Sequence, residues 1–284
     1  MTRLVLVFVV LVGIGSRAAA QGADPISIAL ADPSRPATVN IALWAGVVSI
    51  VAVDNGAVVI DATTAQRSSP GQRRAGGRSA TGGGVGRGAD ASGLTRLQPP
   101  AGVEISEANN VVTIRGPLGE RVDLDIRVPV RTNLKLTKSA QGPTNSPGVV
   151  TVRGLDGDIE IRTNAGTITL EDVSGSVVAH SSNGSIIATV RRVTPDRPMA
   201  FTSYNGSVDV TLPRSVKANF FLQSSRGDVF TDFDVQKQRG GSGGTGEGAT
   251  RRSDDRAIRA TVNGGGPDIE LRTYAANVYL RRGN

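Results

Sequence analysis

The chain has 284 residues, among them 36 Gly, no Cys and one His, and a formal net charge of +7. The absent thiols exclude disulfides, thiolate metal sites, thiol catalysis and lipid attachment through cysteine, and one His argues against the multi-histidine sites that zinc needs. Aromatic residues make up only 4%, so Val, Ile, Leu and Ala must fill the core, and their β-branched members suit a pleated sheet better than a helix.

Residues 1–20 read as a secretory signal peptide: a basic start at Arg3, an apolar run from Leu4 to Ile14, then Ala18-Ala19-Ala20 before Gln21. The run is too short for a comfortable membrane span. No later segment is apolar enough, so export with no membrane span after cleavage is the expectation. Removing the leader leaves a net charge of +5, and most of it falls in two polar stretches.

Residues 21–65 should hold the first strands, with apolar or alternating runs at Thr38 to Ile41, Val47 to Val53 and Ala57 to Asp61, turning at Asn55-Gly56. Residues 66–100 break the pattern. Six Arg against Asp90, together with Gly82-Gly83-Gly84, leave little to bury, so a disordered Arg/Gly-rich insertion is expected.

The main strand region is expected over 101–235. It opens with Gly102 to Ile105, Val111 to Ile114 and Val122 to Ile126, and then a repeat sets in. Gly157, Gly166, Gly175 and Gly184 recur every nine residues, each followed by a polar residue and an alternating apolar run such as Asp158-Ile159-Glu160-Ile161 or Thr167-Ile168-Thr169-Leu170. The pattern continues at Asn205-Gly206-Ser207-Val208 and Arg226-Gly227-Asp228-Val229. A Gly-rich flexible insertion is expected over 236–256, and C-terminal strands over 257–284, at Asp268 to Leu271 and Asn277 to Leu280.

Period two places Ile159, Ile161, Ile168, Leu170, Val177, Val208, Val210, Ile269 and Leu271 on the core face, and Asp158, Glu160, Thr167, Thr169, Ser207 and Asp209 outside. Glycine before each strand permits a tight turn. Two arrangements fit: an antiparallel meander, or a solenoid in which strands about eighteen residues apart stack in parallel. Units of equal length favour the solenoid. The fold class expected is therefore all-β, a single-domain β-solenoid of short strands with two insertions. Its open ends would invite strand-edge pairing between copies, with Arg281-Arg282 blunting the C-terminal edge.

The segment Arg121-Val122-Asp123-Leu124-Asp125-Ile126-Arg127-Val128-Pro129, the Asn-Gly-Ser-Val/Ile units and the closing Thr211-Leu212-Pro213 resemble the bacterial β-strand-repeat family called putative adhesins, or domain of unknown function 4097 (DUF4097), over Ile26 to Leu280. The resemblance implies a secreted or cell-envelope β-solenoid. It supplies no catalytic residues.

Catalytic, cofactor-binding and metal-binding residues are each expected to be none. His180, beside Ser181 and Ser182, lacks a nucleophile-elbow motif. Asp158 and Glu160 have the spacing of a glycosidase pair but no aromatic platform for a sugar beside them. Asp156, Asp158 and Asp172 could at most form one weak calcium site, because only Asp158 among the residues after the repeat glycines is a carboxylate. The basic insertion has no aromatic side chain for stacking on a nucleobase.

A non-enzymatic, exported envelope protein is thus expected, an adhesin or scaffold presenting a polar sheet surface. No cofactor and no nucleic acid are expected, and the partner is unknown, with envelope polymers or proteins the candidates. The alternatives are a carbohydrate-active hydrolase or lyase on a β-helix scaffold, and a polyanion-binding module acting through the basic loops.

Overall fold

A computed structural model describes residues 25–64, 102–139, 148–237 and 257–283. Alternating aliphatic and polar residues form strands and no helix among these residues. In chain order the first seven are β1 (Ile26–Ala29), β2 (Ala37–Leu43), β3 (Val48–Val53), β4 (Ala57–Thr64), β5 (Glu104–Ala108), β6 (Val111–Arg115) and β7 (Val122–Pro129). The regular repeat supplies β8 (Thr132–Lys138), β9 (Val150–Arg153), β10 (Ile159–Ala165), β11 (Ile168–Ser174), β12 (Val177–Asn183), β13 (Ile186–Arg192), β14 (Met199–Ser203) and β15 (Val208–Leu212). Then come β16 (Ala218–Ser224), β17 (Val229–Thr231), β18 (Gln236–Lys237), β19 (Ile258–Val262), β20 (Asp268–Thr273) and β21 (Val278–Arg282).

From β8 to β17 successive strands alternate between two sheets, so two strands and two corners make one coil. Pairing is parallel and eighteen residues apart in the regular part, as in Ile159 with Val177 and Ile168 with Ile186. This is the solenoid, with antiparallel pairing confined to the ends. One sheet runs β1-β4-β7-β3-β9-β11-β13-β15-β21-β17, the other β18-β19-β16-β20-β14-β12-β10-β8-β2-β6-β5.

The inward side chains form ladders across the rungs. One sheet contributes Leu136, Ile161, Ala179, Phe201, Leu271 and Leu222 in register. The other contributes Ile50, Val152, Leu170, Ala188, Val210 and Leu280. All twelve are buried in one continuous core. Ala179, the smallest of its row, stands next to Phe201, the largest, which keeps the layer at even depth. Every core position expected from the period-two reading is buried.

Two features of the order differ from a simple solenoid. The coil β2/β3 lies between the coils β6/β7 and β8/β9, and the coil β20/β21 lies between β14/β15 and β16/β17. Each terminal coil is thus an inner rung. The expectation that Arg281-Arg282 blunts an end is corrected: β21 has β15 on one side and β17 on the other, so both of its edges are paired. Antiparallel strands extend three of the four sheet ends: β4 and β1 at one end, β5 at the same end of the other sheet, and β19 and β18 beyond β16, while β17 pairs with β21 alone among the described residues. The expected signal peptide and nearly all of both expected insertions lie outside the described residues.

Candidate interaction surface

The corner where the β10-type strands leave their sheet is built by a short motif. Its first residue is a hydroxyl that points inward: Thr163, Ser181, Ser203, Thr273 and Ser224 occupy one register row and are all buried. Three positions later stands Gly166, Gly184, Gly206, Ala276 or Gly227. The hydroxyls satisfy carbonyls that the corner would otherwise bury unpaired. Ser203 Oγ donates to Gly184 O at 2.9 Å, Thr273 Oγ1 to Gly206 O at 2.7 Å and Ser224 Oγ to Ala276 O at 2.7 Å.

Glycine permits the close stacking of these corners. Gly166 has φ +99°, and a Cβ there would lie 1.8 Å from Gly148 O. Lys138 extends the same row. It is 4% exposed, and its Nζ donates to the carbonyls of Gly148 and Gly46. Burial, with Arg121 nearby adding to the effect, lowers its pKa to about 8.

The next two residues of the motif lie on the outer side of the corner. Asn164, one position after Thr163, and Asn183 and Asn205, two positions after Ser181 and Ser203, cross-link it: Asn183 Nδ2 donates to Asn164 O at 3.2 Å and Asn205 Nδ2 to Asn183 Oδ1 at 2.5 Å. Immediately after Ser203 and Thr273, Tyr204 and Tyr274 stack with centroids 4.7 Å apart and planes 8° from parallel. They are 53% and 36% exposed. The Arg226 guanidinium covers Tyr274, 5.0 Å from its ring centre.

Further aromatic side chains gather toward the same end of the stack. After Trp44 the sequence has none until Phe201, and all eight Phe and Tyr that follow lie between Phe201 and Tyr279. Phe230, 48% exposed, stacks on Tyr279 at 5.2 Å. Phe221 lies under Arg259 and Arg272, at 5.1 and 4.9 Å, in a shallow depression of about 460 Å³ that Asp268 and Glu270 also line.

The residues weighed for catalysis or metal binding do not converge. His180 is exposed, while Ser181, its neighbour, is buried on the opposite face of β12 with its hydroxyl in the corner row. Glu160 lies 2.9 Å from Arg162 and 3.3 Å from Lys135, and the Arg162 hydrogen bond, helped by Lys135, holds its carboxyl below the usual range. Asp158 pairs with Arg197, Asp156 with Arg192 at 3.1 Å and Asp172 with Arg191 at 3.5 Å. Among the described residues no three His, Asp or Glu side chains form a metal cluster.

Residues 145–271 match the Toastrack DUF4097 family. The DUF4097 match begins just before β9, takes in the regular coils and Tyr204, and ends within β20, short of Tyr274. It agrees with the family resemblance read from the sequence, over a shorter span than Ile26 to Leu280. A crystal structure of a "putative cell adhesion protein" from Clostridium sporogenes is similar at 10% identity and a TM-score of 0.45, covering 92% of this chain and 100% of that one. No curated protein matches.

Proposed function

We propose that this chain is an exported, non-enzymatic envelope protein, an adhesin or scaffold that holds another macromolecule against the surface of a stiff two-sheet plate. One contrast carries the reading. Acid and base side chains on the plate neutralise one another within and across adjacent rungs, whereas Tyr204, Tyr274 and Phe230 stand exposed at one end. Tyr, Phe and Arg are the residue types that anchor interfaces. A glycosidase needs one carboxyl kept protonated, and Glu160 is held ionised by two cations. The leader-like residues 1–20 support export.

The test uses purified protein on envelope fractions and on envelope polysaccharides. Saturable binding to the fractions, weakened by Tyr204→Ala or Phe230→Ala, with no new reducing ends from the polysaccharides, is the expected outcome. Release of reducing ends that disappears in Glu160→Gln would replace this reading with the hydrolase.

A further inference from the structure

We infer that the open face of Tyr204 is a stacking subsite for one ring of a neutral glycan, a proposal that rests on the adhesive reading above and names its ligand chemistry. Ser181 pairs with Ser203, and Ser203 with Thr273. One position further on, the same outward slot holds Ser182, Tyr204 and Tyr274 on successive rungs. Backbone hydrogen bonds from Tyr204 N to Ser181 O and from Asn205 N to Ser182 O, both 3.0 Å, keep the corners in this register.

The near-parallel stack places Tyr274 over one face of Tyr204, and Arg226 over Tyr274. The other face of Tyr204 looks along the stack toward the rung of Ser182, whose side chain is too short to cover it. The result is a step: an aromatic riser one rung high, with a tread of Ser182 and Asn183. Tyr204 is the more exposed of the two tyrosines, 53% against 36%, as an uncovered face requires.

The chemistry of the step selects the ligand. An aromatic face attracts the positively polarised C–H edges of a flat ring, and hydroxyl and amide groups both donate and accept hydrogen bonds. Ser182 offers a hydroxyl beside the riser, and Asn183 and Asn164 each keep a second amide N–H beyond the one given to a backbone carbonyl. A sugar ring presents C–H groups on its face and hydroxyls around its rim, matching both. A strand of nucleic acid would also stack, but it needs cations along its backbone. On this side, two rungs from that of Tyr204, the cation of β10 is Arg162, and it is engaged by Glu160 at 2.9 Å.

The subsite is tested by calorimetric titration of the purified protein with cellopentaose, maltopentaose and triacetylchitotriose. At least one should bind. Tyr204→Ala should weaken that binding about tenfold or more, and Ile187→Ala, at an exposed apolar side chain on β13 of the other sheet, should leave it within about twofold. Ser182→Arg lays a guanidinium over the open face of Tyr204, as Arg226 does over Tyr274, and should also abolish binding without offering a new ring, so it decides the matter if Tyr204→Ala does not fold. No binding of any of the three probes, or binding that survives Ser182→Arg, overturns the inference. So does binding of oligo(dT) that depends on Tyr204 and Arg226. Envelope binding retained while the sugars fail would leave the adhesive function standing and remove only this ligand; loss of both would remove both.

Discussion

At the scale of single residues, the inward hydroxyls explain why polar side chains sit in an aliphatic core. Ser203 Oγ donates to Gly184 O and also accepts from Gly206 N at 2.9 Å. Ser203→Ala would leave both backbone groups buried without partners, and urea unfolding should show a loss of about 1–3 kcal/mol. Ser174 is the opposite case. It is fully buried, and its hydroxyl has no partner, so Ser174→Ala should raise stability by about 1 kcal/mol in the same assay. Lys138 gives a prediction in pH. Its pKa falls from 10.5 to about 8 in the fold, so between those values the unfolded chain binds more protons than the native one. The penalty for burying the ammonium is therefore fully present below pH 8, and stability should rise with pH from about 8 to about 10.5, by on the order of 3 kcal/mol. Lys138→Met should abolish this rise in unfolding curves taken at pH 7.5, 9 and 10.

At the scale of strands and coils, the decisive feature is that the last coil is an inner rung. In a simple linear repeat the terminal unit contacts one neighbour and can be trimmed at the cost of that interface. Here β20 pairs with β14 and β16, and β21 with β15 and β17. Deleting residues 264–284 would strip four strand edges at once and strand β16 and β19 away from the stack. The truncated chain should aggregate on size-exclusion chromatography and lose its cooperative thermal transition, whereas a folded, shorter monomer would contradict the intercalated order. The sequence made the regular coils legible because glycines nine residues apart, with aliphatics at period two, specify a pairing distance of eighteen. It left the intercalation hidden. The partners of β2 and β20 are set by which gap the terminal coil fills, and no local spacing records that. The same blindness hid the tyrosine step: Ser203-Tyr204 and Thr273-Tyr274 share a motif in sequence, but only the inserted β20 makes them neighbours. Asp158 and Glu160 looked available for chemistry because Arg197 and Lys135, which pair with them, come from other parts of the stack, although Arg162, on the same strand as Glu160, was in plain view.

At the scale of the whole molecule, the order of the rungs sets the order of folding. Pairing Ile159 with Val177 closes a loop of eighteen residues, whereas pairing Ala37 with Thr132 must bring together segments on either side of the 66–100 stretch. Loop closure costs more as the closed segment lengthens, and long-range pairings slow folding. The middle coils β10 to β13 should therefore form the nucleus, with β2/β3 and β20/β21 docking afterwards into gaps whose walls already exist. Ile161 and Ile41 test this order because both are buried in the same sheet with the same chemistry. Each Ile→Val change should cost about 0.5–1.5 kcal/mol, but the cost should appear in different rates. In stopped-flow urea chevrons, Ile161→Val should mainly slow refolding, because its contacts exist in the transition state. Ile41→Val should mainly speed unfolding. Equal partition of the two costs between the limbs would mean that the terminal coils assemble together with the centre, and that the two gaps never exist as separate openings.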